Sequence, residues 1–101
     1  MSEAERIAAF WDWWRRHAAS IAATIDAGNA NDLDSELSPR VHALDPDLQW
    51  ELTPGRSARH ALVVSSGGSA ELRPLAERWA RAAPPGATWE YYPARIADLR
   101  S

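Results

Sequence analysis

The sequence predicts one α+β domain over residues 1–101, with elements in the order α-α-β-β-α-β. The expected sheet is small, three-stranded and mainly antiparallel, with helices packed on one face. Three observations predict it. The first quarter of the chain repeats apolar residues at three- and four-residue steps, the mark of a helix face. Residues 48–65 hold two strand-like runs joined by a Pro-Gly turn, a link short enough to make them an antiparallel pair. A Gly-Ser break then opens one more helix and one more strand.

Residues 2–27 form the longest predicted helix. Ser2 and Glu5 have the spacing of a capping box, and Ile7, Phe10, Trp11, Trp14, Ala18, Ile21 and Ile25 make one apolar stripe. Gly28 stands where a C-terminal cap belongs, ahead of the loop Asn29-Ala30-Asn31. A second helix over about 32–45 is read from the spacing of Leu33, Leu37, Val41 and Leu44. Pro39 must either bend that helix or begin a fresh turn with Ser38. Leu48 to Thr53 alternates strictly, with Leu48, Trp50 and Leu52 facing inward. Pro54-Gly55-Arg56-Ser57 turns the chain into a second strand, Arg59 to Ser65, rich in Leu62, Val63 and Val64.

After Ser66-Gly67-Gly68-Ser69, a third helix runs to about Ala83 and buries Leu72, Leu75, Trp79 and Ala83. Pro74 lies early enough for the regular helix to begin there. Pro84-Pro85-Gly86 stops it, and Ala87 to Tyr92 is a third strand with Trp89 and Tyr91 on one face. A crossover from the second strand to a neighbouring parallel strand would be right-handed. Trp50-Glu51-Leu52-Thr53-Pro54 and Trp89-Glu90-Tyr91-Tyr92-Pro93 share a W-E-x-x-P pattern, read as two similar strands in preference to a duplicated unit.

Composition narrows the function classes. A chain of 101 residues can bury roughly 60–70% of the surface its unfolded form exposes, enough for an ordinary core. There is no cysteine, which removes disulfides and the cysteine-containing zinc sites. The net charge of −3 argues against nucleic acid as a partner. All eleven cationic side chains are arginine, a bias expected of a GC-rich genome. No basic leader precedes an apolar stretch, and no apolar run reaches the ~20 residues of a membrane span, so the expected location is the cytoplasm with no membrane partner. The six tryptophans are the most unusual feature: large aromatics serve both cores and interfaces.

The most chemical-looking segment is Val63-Val64-Ser65-Ser66-Gly67-Gly68-Ser69-Ala70-Glu71. A strand, a Gly-rich turn and a helix start can offer backbone N–H groups to an anion, with Ser65, Ser66 and Ser69 adding hydroxyls. It lacks P-loop spacing and any lysine. The bland reading is a turn needing positive φ, with Ser69 as helix cap and Glu71 opposing an anion. His17, His42 and His60 have no metal-ligand spacing, and no cofactor is implied. Ser65 or Ser66 with His60 and Asp45 or Asp47 would make a hydrolase set only if the fold gathered them, and the G-x-S-x-G elbow is missing. Glu51 and Glu90 could pair for acid–base work but read more simply as a solvated sheet face. No catalytic residue is therefore assigned. Trp13 lies off the apolar stripe beside Arg16 and His17, so it either reaches over the edge of the core or anchors a partner.

Together, Phe10-Trp11-Asp12-Trp13-Trp14, Leu48-Gln49-Trp50-Glu51-Leu52, Val63-Val64-Ser65-Ser66-Gly67 and Ala82-Ala83-Pro84 followed by Trp89 resemble a set of small uncharacterised bacterial proteins. Their opening helix bears F-W-x-W-[FW]. The resemblance spans most of the chain and implies no activity; such proteins tend to run longer, which would make this chain a reduced version. The leading expectation is a non-enzymatic protein-binding or regulatory module using the Trp13, Arg16 and His17 edge, toward another protein or a second copy. A small acidic immunity-type protein is one version, resting on size and charge alone. The alternative is a phosphate or small-anion binder, or a small enzyme, using Ser65, Ser66, Gly67, Gly68 and Ser69.

Overall fold

The computed structural model describes residues 1–95. Three α-helices and a three-stranded mixed sheet follow one another in the order α-α-β-β-α-β. The backbone forms two compact units, Met1–Pro46 and the part from Asp47 onward.

In the first unit, helix α1 spans Glu3–Asp26. Its start is a complete capping box: Ser2 Oγ accepts the Glu5 N–H at 3.1 Å, and Glu5 Oε1 accepts the Ser2 N–H at 3.2 Å. Its end is a Schellman turn. Gly28 takes a φ of +83°, its N–H reaches the Ile25 carbonyl, and the Asn29 N–H reaches that of Thr24. Between these ends Ile7, Phe10, Trp11, Trp14 and Ile21 are buried, as the stripe requires, while Ala18 and Ile25 are half-buried. The Phe10 and Trp11 rings meet edge-on, 5.0 Å apart, the geometry that aromatic quadrupoles favour.

A 3₁₀ turn, Ala30–Leu33, leads into helix α2, Asp34–His42. The helix expected from about 32 thus begins later and ends earlier, and Pro39 begins no new turn but lies inside α2. Its missing N–H would have served the Ser35 carbonyl; both residues are exposed, so water can replace the lost bond. Leu33, Leu37, Val41 and Leu44 are all buried.

In the second unit the sheet has the order β1-β2-β3, with β1 at Gln49–Pro54, β2 at His60–Ser65 and β3 at Trp89–Tyr92. β1 pairs antiparallel with β2 from Gln49↔Ser65 to Pro54↔His60. β3 pairs parallel with β2 over the shorter span His60↔Trp89 to Val63↔Tyr92. The central strand is buried from His60 to Val64, which explains its unbroken apolar run. Side chains alternate across a sheet, so the register puts Trp50, Leu52, Leu62, Val64, Trp89 and Tyr91 on one face. Gln49, Glu51, Thr53, Glu90 and Tyr92 share the other.

Helix α3, Arg73–Arg81, packs on β2 and β3, with Trp79 edge-on to Tyr91 at 6.3 Å. It starts four residues after Ser69. Pro74 sits in the first turn, where a missing N–H breaks no helical bond, and the cap position is Leu72, with no side-chain hydrogen bond. Ser69 therefore does not cap this helix. Among the described residues, no helix is long and apolar enough to cross a membrane.

Candidate functional site

Because β2 and β3 run parallel, they deliver the segments that follow them, Ser66–Gly68 and Pro93–Arg95, to the same end of the sheet. β1 begins at that end, with Gln49 paired to Ser65. α3 adds Arg73 and Glu77 from successive turns. These groups surround a cleft of about 700 Å³, within the roughly 300–1,000 Å³ of small-molecule sites. Ligands of open sheets commonly bind outside the carboxyl ends of parallel strands, and the cleft lies there.

The turn that floors it depends on glycine. Gly67 and Gly68 take φ values of +61° and +91°, and the Ser69 N–H closes the turn on the Ser66 carbonyl at 3.0 Å. The Gln49 carboxamide lies over Gly67, so close that a β-carbon there would stand 3.0 Å from its Cδ and Nε2. Among the described residues, the Ser65 and Ser66 hydroxyls, the Gln49 carboxamide, the Arg73 guanidinium and the Glu77 carboxylate have no hydrogen-bond or ion-pair partner. Arg95 differs, since its Nε lies 3.6 Å from Glu51 Oε1.

The structure thus brings Ser65, Ser66, Gly67 and Gly68 into one lining, while Ser69 closes the turn behind it. Residues 70–72 separate the turn from α3, so the local positive charge comes from Arg73 rather than from a helix start adjoining Ser69. Gln49 and Arg73 were not singled out in the sequence. The available signal was weak: one polar residue opening a strand, and one arginine ahead of a helix proline.

Of Trp13, Arg16 and His17, the candidate docking edge, Arg16 is exposed and His17 half-buried. Trp13 is only 6 % exposed. The His17 ring stacks on it at 5.0 Å, and the Arg40 guanidinium of α2 lies 5.1 Å from its ring centroid, a cation–π contact. His17 Nδ1 donates to the Trp13 carbonyl at 2.8 Å. Arg16 is exposed and paired with Asp12 at 3.0 Å. Of the two readings of Trp13, packing is what this fold supplies.

Other combinations do not assemble. His60 and Ser65 occupy opposite ends of the extended strand β2, about 17 Å apart at the ordinary rise per residue. His60 packs instead against the Trp89 ring at 5.1 Å. The described residues contain no group of three or more His, Asp or Glu placed to hold a metal ion. Glu51 and Glu90 each have separate partners. Glu90 accepts the backbone N–H groups of Arg56, Ser57 and Ala58 and the Tyr92 hydroxyl, the last at 2.6 Å. The Tyr92 hydroxyl and these amides hold its carboxyl down at about 2. Donation to Glu90 pushes the Tyr92 hydroxyl above its usual range. This carboxylate ties the β1–β2 turn to β3, a structural task that accounts for all four of its donors.

No family model matches this chain, and neither does any curated protein or solved structure.

Proposed function

We propose that the protein is a binding module for a small organic anion, taken up in the cleft at the carboxyl ends of β2 and β3. One observation carries this reading: a guanidinium, two serine hydroxyls and a carboxamide converge on one concavity without engaging one another. Arginine matches carboxylate and phosphate oxygens through paired N–H donors, and hydroxyls can supply the remaining bonds. The Gly67-Gly68 turn leaves the backbone open to close approach. Binding without turnover fits the lining, where Ser65 and Ser66 have no histidine beside them among the described residues. The protein-docking alternative loses its apolar anchor with Trp13 buried.

Isothermal titration with inorganic phosphate, acetate and succinate tests the reading, using the wild type and Arg73→Gln. Saturable binding of at least one anion is expected, weakened about tenfold in the variant, the scale of one charge-assisted hydrogen bond. Equal affinity in the two proteins, or no binding of any anion, would reject it.

A further inference from the structure

We infer that the ligand is a small zwitterion, with an ammonium group a few bonds from its carboxylate or phosphate; this rests on the anion-binding reading of the same cleft. The cleft holds charges of both signs. Arg73 and Glu77 stand four residues apart on α3 and line it together, a separation of about 6 Å along the helix axis. Arginine preceding glutamate is the weaker order for a helical ion pair, and the two side chains form none. Each charge is left facing the cleft. Arg95, which also lines the cleft, has its Nε directed at Glu51.

Among the described residues that line the cleft, one cation, Arg73, and one anion, Glu77, therefore have no ion-pair partner. A simple anion on Arg73 would sit within reach of the Glu77 carboxylate and be repelled by it. An ammonium group on the same ligand turns that repulsion into attraction. Among the described residues of the lining, a polyanion would find one unpaired guanidinium and one opposing charge. Gln49, lying over Gly67, adds an adjacent donor and acceptor for the ligand's polar atoms.

The test compares matched pairs by titration calorimetry: 4-aminobutyrate against butyrate, and phosphoethanolamine against ethyl phosphate, with the wild type and Glu77→Gln. Glu77 is half-buried and its carboxylate is bonded to no described residue, so the variant should fold, as its unfolding midpoint will show. In the wild type the amino member of at least one pair should bind about fivefold more tightly, as an exposed charge pair warrants. Glu77→Gln should erase that preference while the plain anion binds as well or better. If the plain anions bind as tightly as their amino counterparts, the zwitterion inference fails and the anion site stands. If none of the four binds, both fail.

Discussion

Replacing Gly67 by alanine separates the two tasks this residue performs. At a φ of +61° an L-residue brings its β-carbon against the backbone, a cost of roughly 1–2 kcal/mol. The new methyl would also stand 3.0 Å from the Gln49 carboxamide. That contact falls on the end of an exposed side chain, which can swing aside for about 0.5 kcal/mol or less by rotamer adjustment. The backbone effect therefore dominates. For a chain of about 100 residues the total corresponds to a fall in Tm of roughly 5–15 °C. Gly68→Ala is the comparator, since Gly68 has a φ of +91° and open space around its missing β-carbon. Thermal and urea unfolding of both variants, alone and with Gln49→Ala, measures each part. Both should be destabilised, and Gln49→Ala should relieve only the excess at Gly67. A Gly67→Ala protein as stable as the wild type would show that the turn is not left-handed there, and the account of the cleft floor would fall.

Glu90→Gln should lower stability at neutral pH, because the carboxyl is held near 2 in the fold against an ordinary 4.5. A depressed value means the contribution is complete above the ordinary value and is lost as pH falls toward 2. The gap between variant and wild-type unfolding midpoints should thus close over that acid range; a gap independent of pH would contradict the hydrogen-bonding assignment. In the first unit, a double-mutant cycle between Trp13→Leu and Arg40→Ala should give a coupling of about 0.5–1 kcal/mol for the cation–π contact. Zero coupling would mean that Arg40 does not cover the ring. Ser2→Ala should cost α1 about 1 kcal/mol through loss of the capping box, read from the urea midpoint; an unchanged midpoint would show that the cap is not formed.

Local signals were legible in the sequence because they act over a few residues. Ser2 and Glu5 start α1, Gly28 ends it, and the alternation around Trp50 marks β1 within a residue at each end. The order α-α-β-β-α-β follows from these. Trp13 was ambiguous because a helical wheel shows only its own helix, whereas Arg40 reaches it from 27 positions away on α2. Glu90 read as a solvated strand residue because its three backbone donors lie 32 to 34 positions earlier. The glycine turn was visible as a break, and its serines as possible ligands. Its partners were not: Gln49 reaches it through the pairing of β1 with β2, and Arg73 through the placement of α3. Pro74 marks the start of the regular part of α3 to within one residue, because it fixes where a first turn can form; the reading of Ser69 as its cap fails because residues 70–72 intervene.

The most direct test of the binding cleft is a titration of the ¹⁵N-labelled protein with phosphate and with 4-aminobutyrate, following backbone amide shifts. Saturable shifts are predicted at Ser66, Gly67 and Gly68 and at Gln49 across the strand pair, with much weaker ones in Arg73→Gln. Shifts scattered over other arginines without saturation, or confined to the first unit around Trp13, would contradict the assignment of the site.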